Sequence, residues 1–207
     1  MMEVFAKLQQ GTPEWHATRA GIPTCSEFAK VIAGKGPRGG TSGKEYIGRT
    51  KYLYRLAGEV ITGQAEATYS NAHMDRGTEN EGEARDLYAM LRDVEPQQVG
   101  FIRNGNCGGS PDSLIGNDGI LEIKDAIASV QIERLLANVL PSEHKAQCQG
   151  LLMVSGRTWL DFMSHSRGLP PLIVRVERDE RYIAELRVSV NEFSDELAAL
   201  VARIRSM

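Results

Sequence analysis

Between Ser110 and Asp125 the chain reads SPDSLIGNDGILEIKD, two runs rich in strand formers around Gly116, Asn117, Asp118 and Gly119. Glycine, asparagine and aspartate tolerate positive φ, so the centre is turn chemistry and the two runs are predicted to pair as an antiparallel hairpin. A turn centred on Asn117 sets Asp112 directly opposite Glu122. Residues so opposed have Cβ atoms ~4.5–5.5 Å apart, and like charges there repel. Something positive has to sit between them. The period of two puts Lys124 on the face of Glu122 and turns Leu121 and Ile123 toward a core on the other. If the charges were merely exposed, a Lys124 salt bridge would add at most ~1 kcal/mol. A divalent cation with hard oxygen ligands is the alternative. Asp112, Glu122 and the backbone carbonyl of Ile123 supply a donor set that suits Mg²⁺. An EF-hand loop does not fit, because Leu114 and Gly116 stand where it needs acids or amides.

At 207 residues with 42% hydrophobic and 25% charged content, the chain is read as one domain, 1–207, with one substantial core. No run has the length of a membrane span, and MMEVFAKLQQGTPEW lacks the apolar centre of a secretory signal, so a soluble, cytoplasmic protein is expected. Cys25, Cys107 and Cys148 are odd in number and far apart, which favours reduced, half-buried thiols over disulfides or zinc. The net charge of −3 argues against a uniformly basic coat. Residues 1–70 nevertheless hold nine Lys/Arg against six Asp/Glu, which allows a local basic surface.

The segment GKGPRGGTSGKE, 34–45, is predicted to be a flexible glycine-rich loop. A long amphipathic helix follows, with Tyr46, Thr50, Leu53, Ala57, Val60 and Ile61 at helical spacing. A second helix is expected over 74–91, where Glu81 shares a stripe with Ala84, Tyr88 and Leu91, an odd place for an acid. Strands are expected over 99–103, 109–115 and 119–124, then helices over 129–139 and 141–154. Strands over 158–165 and 171–178 and a closing helix over 191–205 complete the order. This succession implies an α/β fold with a mixed sheet covered by helices on both sides.

These residues together carry a resemblance. SPDSLIGNDGILEIK resembles the PD-(D/E)xK nuclease signature, and the wider pattern is similar to the phage lambda exonuclease, or YqaJ-type viral recombinase, family from about Gln9 to Asp179. EWHATRAGIPTCSEF resembles the family's W-x3-R-x-G-x2-T-x-S motif through Trp15, Arg19, Gly21, Thr24 and Ser26. MDRGTENEGEAR resembles its G-x3-E helix through Gly77 and Glu81, and HKAQCQ its glutamine motif through Gln147, with Gln149 as neighbour. Ser113 departs from the glycine common after the aspartate.

The resemblance implies a restriction-endonuclease-like core and a Mg²⁺-dependent exonuclease, Mn²⁺ being a substitute, that digests one strand of duplex DNA from its 5′ end and leaves 3′ overhangs. It implies Asp112, Glu122, Ile123 and Glu81 as metal ligands and Lys124 and Gln147 as further catalytic residues. By the same resemblance, Arg19, Ser26 and Ser110 are expected to form the 5′-phosphate pocket. Trp15 is read as a core anchor for the Arg19 segment rather than a base-stacking platform. His144 and His73 lie near the motif helices, but an oxygen-rich Mg²⁺ site does not need imidazole. A homotrimeric ring, a single-strand annealing protein as partner, double-stranded DNA ends as substrate and a phage or prophage origin in a bacterial cytoplasm are implied by the same resemblance. Two other classes compete with this reading: a site-specific endonuclease on the same core, and a non-catalytic DNA-binding module.

Overall fold

The computed structural model describes residues 1–33, 43–66 and 72–207. Its strands form two sheets. The first is antiparallel, in the order β1 (Met2–Phe5), β2 (Phe101–Asn104), β3 (Cys107–Gly109). The second runs β4 (Ser113–Ile115), β5 (Gly119–Asp125), β6 (Trp159–His165), β7 (Leu172–Glu177); β5 and β6 are parallel and the outer pairs antiparallel. This second sheet is the mixed sheet expected from the element order. The single strand expected over 109–115 is instead two strands in different sheets. Pro111 has no N–H for a ladder and restricts the backbone of Ser110 before it, so the chain leaves one sheet and enters the other across Ser110–Asp112.

The helices are α1 (Pro13–Arg19), α2 (Phe28–Ile32), α3 (Gly43–Thr62), α4 (Ala72–Arg92), α5 (Ala128–Ala137), α6 (Lys145–Ser155) and α7 (Glu180–Arg205). Of the glycine-rich segment 34–45, residues 34–42 lie outside the described residues and 43–45 belong to α3, so the expected loop ends earlier. Pro141 caps a 3-10 turn, Ser142–His144, that leads into α6. The closing helix starts eleven residues before the expected Asn191. Asp179 caps it by accepting from the Tyr182 N–H at 3.0 Å, and Ile183, Leu186, Val190, Phe193, Leu197 and Val201 form its buried stripe. On α3 the buried stripe is Tyr52, Leu56 and Ala57, whereas Val60 and Ile61 are exposed, so the inward face is rotated from the one expected.

The larger core lies between the four-stranded sheet and α6, α7, α2 and α3, where Ile120, Leu160 and Phe162 meet Leu152, Leu186, Phe193 and Phe28. Such fully buried side chains each contribute about 1.5–3 kcal/mol. On the other face α4 packs Ala84 and Tyr88 against Leu121, Ile123 and Met163. Leu91, expected on that stripe, is instead 51% exposed. With helices on both faces, β5 is buried along most of its length. Gly119 opens it where a Cβ would stand 2.2 Å from the Trp159 ring. No helix among the described residues is long and apolar enough to cross a membrane. All three cysteines are free and buried, deeper than expected.

Candidate active site

The β4–β5 register pairs Ser113 with Leu121, Leu114 with Ile120 and Ile115 with Gly119. Continued by one residue, it sets Asp112 opposite Glu122 as the turn chemistry requires. Asp112 lies just past the end of β4, where its Oδ2 accepts from the Ile123 N–H at 2.5 Å. In an antiparallel ladder the N–H and C=O of one residue point to the same side, so the Ile123 carbonyl is directed toward Asp112 too. Glu122 is only 1% exposed, not a surface charge. Its Oε1 accepts from Lys124 Nζ at 2.6 Å and from Gln147 Nε2, which α6 delivers from across the core. Its Oε2 is buried with no partner among the described residues.

The electrostatics follow from this crowding. Burial, and then the charge of Asp112, push the Glu122 carboxyl up to about 8 against the pull of Lys124. Burial raises Asp112 as well, opposed by Lys124 and the Ile123 N–H. For Lys124, burial works against the charge, but attraction to Glu122 and Asp112 outweighs it and holds the proton on. The pair of acids with an orphaned oxygen and a carbonyl beside it fits a hard divalent cation, which would relieve the repulsion and fill the missing contact.

Glu81 is the one predicted ligand placed differently. Burial and the charge of Asp112 raise it to about 7, so it stands within reach of the site's field. Its carboxylate, however, is taken by Arg85, one turn along α4. Among the described residues no three His, Cys, Asp or Glu side chains converge as a metal cluster. Glu81 lines an adjoining cavity beside Arg85 and Gln98.

The N-terminal motif arrives from α1, whose Thr12 cap accepts from the Trp15 N–H and whose first residue is Pro13. Trp15 is half-buried rather than the core residue expected, and is held in place by its Nε1, which donates to Gly100 O at 2.9 Å and to Ser110 Oγ at 3.0 Å. Arg19 lies over its ring, 3.7 Å from the centroid. Gly21 turns the chain after Arg19 with φ +69, against Val60. Burial first, with the charge of Arg55 contributing, lowers Arg19 to about 10, and its Nε is buried without a partner among the described residues. Ser26 is exposed, its hydroxyl 3.5 Å from that of Thr24. One cavity of about 160 Å³ joins Arg19, Ser26 and Ser110 to Asp112, Glu122, Lys124 and Gln147.

Two contributors escape the sequence reading. Arg85 links Glu81 to Ser113, donating from Nε to its hydroxyl at 3.0 Å, and Ser113 donates in turn to the Asp112 carbonyl. The serine that replaces the common glycine thus ties α4 to the start of β4. Its partner was marked only by the i,i+4 spacing from Glu81. Gln10 donates to Val99 O and Pro111 O and borders the same cavity, with no motif to signal it. His144 faces Arg134 at 3.1 Å, and burial with the charges of Lys124 and Arg134 pushes it down to about 4. Gln149 holds β7 and the start of α7 through Glu177 O and the Asp179 N–H. The side chains of His73 and of the residues around Gly77 lie outside the described residues.

Among solved structures, the chain is similar to an alkaline exonuclease, LHK-Exo, from Laribacter hongkongensis, with 32% identity and a TM-score of 0.83 over 94% of this chain and 97% of that chain. LHK-Exo in complex with dAMP gives 33% identity with the same coverage and TM-score. A phage related exonuclease from Haemophilus somnus 129PT, at 14% identity and a TM-score of 0.67 over 88% of this chain and 96% of that chain, shares the fold. A comparison with curated protein sequences gave no match. The model of the YqaJ-like viral recombinase domain matches residues 14–158, well over half of the sequence. By that match and its near full-length likeness to a relative one third identical, the chain belongs to the YqaJ-like viral recombinase family.

Proposed function

We propose that this protein is a Mg²⁺-dependent exonuclease that digests one strand of linear double-stranded DNA from the 5′ end and leaves 3′ overhangs. The observation that carries the reading is the single cavity that joins an arginine with an unpartnered buried Nε to a pair of acids with an orphaned oxygen. The likeness to LHK-Exo, an alkaline exonuclease 32% identical to this chain, supports the same reaction class.

Asp112, Glu122 and the Ile123 carbonyl would hold the cation, which when bound supplies Lewis-acid polarisation of the scissile phosphate and a nucleophile at neutral pH. Gln147 and Lys124, both on Glu122 Oε1, fix the orientation of that carboxylate. Lys124, kept protonated by the two acids, is suited to stabilise charge that develops on the phosphate rather than to act as base. Glu81, through Arg85 and Ser113, positions Asp112. Arg19, with Ser26 and Ser110, receives the terminal 5′-phosphate, since a planar guanidinium matches phosphate oxygens. Mn²⁺ would replace Mg²⁺ in such an oxygen site. We further propose a homotrimeric ring around the DNA, a single-strand annealing protein that takes the exposed 3′ strand, and a phage or prophage setting in a bacterial cytoplasm.

A time course on end-labelled linear duplex, with Mg²⁺ or with chelator, tests the reading. Mononucleotide release from the 5′ end only, and only with the cation, is the expected result. Cutting of a covalently closed circle would favour a site-specific endonuclease, and duplex that is bound but left whole with Mg²⁺ a non-catalytic module.

A further inference from the structure

Arg19 stands at the boundary of two cavities. One holds the acids; the other, of about 260 Å³, extends away from them and shares Trp15, Arg19, Thr24 and Ser26 with the first. Its far wall carries Arg55, from α3. Arg55 lies over the Tyr52 ring, 4.9 Å from its centroid, and its Nε, like that of Arg19, is buried without a partner among the described residues. Three acids, Glu27, Glu59 and Glu66, line the same cavity. Glu27 forms a long ion pair with Arg55, 3.7 Å from one oxygen and beyond hydrogen-bond reach, while its other oxygen is 2.5 Å from Lys30. Glu59 accepts from the N–H groups of Gly21 at 2.7 Å and Glu66 at 3.3 Å. Two guanidinium groups thus face one cavity with hydrogen-bonding capacity unspent, an arrangement that costs free energy unless an anion completes it.

The charge of the anion can be argued. A phosphodiester within a strand carries one negative charge, whereas a phosphomonoester with a second pKa near 6 carries about −1.5 to −2 at neutral pH. We propose that Arg55 is the second cation of the terminal-phosphate pocket and that, with Arg19, it selects a dianionic 5′-phosphomonoester over an internal phosphodiester. This inference rests on the reading above that Arg19, Ser26 and Ser110 receive the 5′-phosphate. Arg55 is then a specificity-determining residue.

The test is equilibrium binding, by fluorescence anisotropy in chelator, of a short duplex that carries either 5′-phosphate or 5′-hydroxyl ends. The ratio of the two affinities within each variant cancels general losses. Arg55→Gln is expected to lower the ratio roughly tenfold, the worth of one charge-assisted hydrogen bond, and Arg55→Lys, which keeps the charge but not the fork, to fall between. A ratio in Arg55→Gln equal to that of the wild type overturns the proposal. If Arg55→Gln does not fold, Arg55→Lys decides by the same criterion. A wild type that discriminates, with discrimination lost in Arg19→Ala yet kept in the Arg55 variants, leaves the terminal-phosphate reading standing and removes Arg55 from it. A wild type that binds both ends alike removes both.

Discussion

Two arginines lie flat on tryptophans in this molecule, and what surrounds them differs. Arg175 stacks 3.6 Å from the Trp159 centroid and Arg19 3.7 Å from that of Trp15. Arg175 closes on Asp161 with bonds of 2.5 and 3.1 Å, and the Tyr88 hydroxyl donates to the same carboxylate at 2.8 Å. Arg19 has no ion pair among the described residues and a buried Nε with no partner. The acids mirror this contrast on neighbouring strands. Asp161 is fully buried with both oxygens taken, while Glu122, almost as buried, keeps Oε2 empty-handed. A buried charge is tolerated when its partners are complete. The closed set fastens β6 and β7 to α4; the open set is unfinished where a phosphate and a cation would finish it.

The strongest challenge to this contrast comes from the open set. Asp112→Ala or Lys124→Ala is expected to lower digestion by on the order of a thousandfold, with the melting temperature within a few degrees of wild type. Loss of folding in step with loss of activity would make these residues structural and erase the distinction. In the closed set the expectation reverses. Arg175→Ala should cost about 3 kcal/mol in urea denaturation, the low end for a broken buried pair because the arginine is half exposed, while the folded fraction digests DNA normally. A cost near zero would show that Asp161 is no better completed than Glu122.

The pH dependence sharpens the comparison further. Glu122 is raised from 4.5 to about 8, so between these values the folded state holds a proton that the unfolded chain has released. Its contribution therefore falls as pH rises from about 4.5 to about 8. His144, lowered from 6.5 to about 4, has the opposite slope, gaining stability as pH rises through that interval. Melting curves of wild type and Glu122→Gln in chelator share the histidine slope, so their difference reports the acid cluster of Glu122, Asp112 and Glu81. The expected result is a wild type that loses several degrees relative to Glu122→Gln as pH rises, a loss that Mg²⁺ suppresses. The smallest effect is expected at Arg19. With no salt bridge to lose, Arg19→Ala should cost only the ~0.5–1 kcal/mol of its stacking and should reduce the preference for 5′-phosphorylated ends. A penalty as large as that of Arg175→Ala would collapse the contrast.

The hairpin was legible because its register depends on local turn chemistry and a period of two, both written into sixteen consecutive residues. From it the facing of Asp112 and Glu122 followed, while Arg19, Ser26, Ser110 and Gln147 were pointed to only by the family resemblance. The division between β3 and β4 was also written in the chain, since Pro111 breaks a ladder, but the apolar pattern on either side concealed it. Asp179 was a readable cap for α7, hidden by the charged residues around it. Three features had no local signal. The two-residue change in the inward face of α3, the capture of Glu81 by Arg85 and the approach of Gln10 to Pro111 depend on packing between segments distant in sequence.

Between Ser110, which lines the Arg19 end of the cavity, and Asp112, which meets Glu122, stands a single proline. Its ring locks one backbone torsion, so part of the calliper between the two ends is made of covalent bonds, beside the packing that holds Arg19 and Glu122. Under the proposed reaction, that calliper gauges how far along the strand each bite falls.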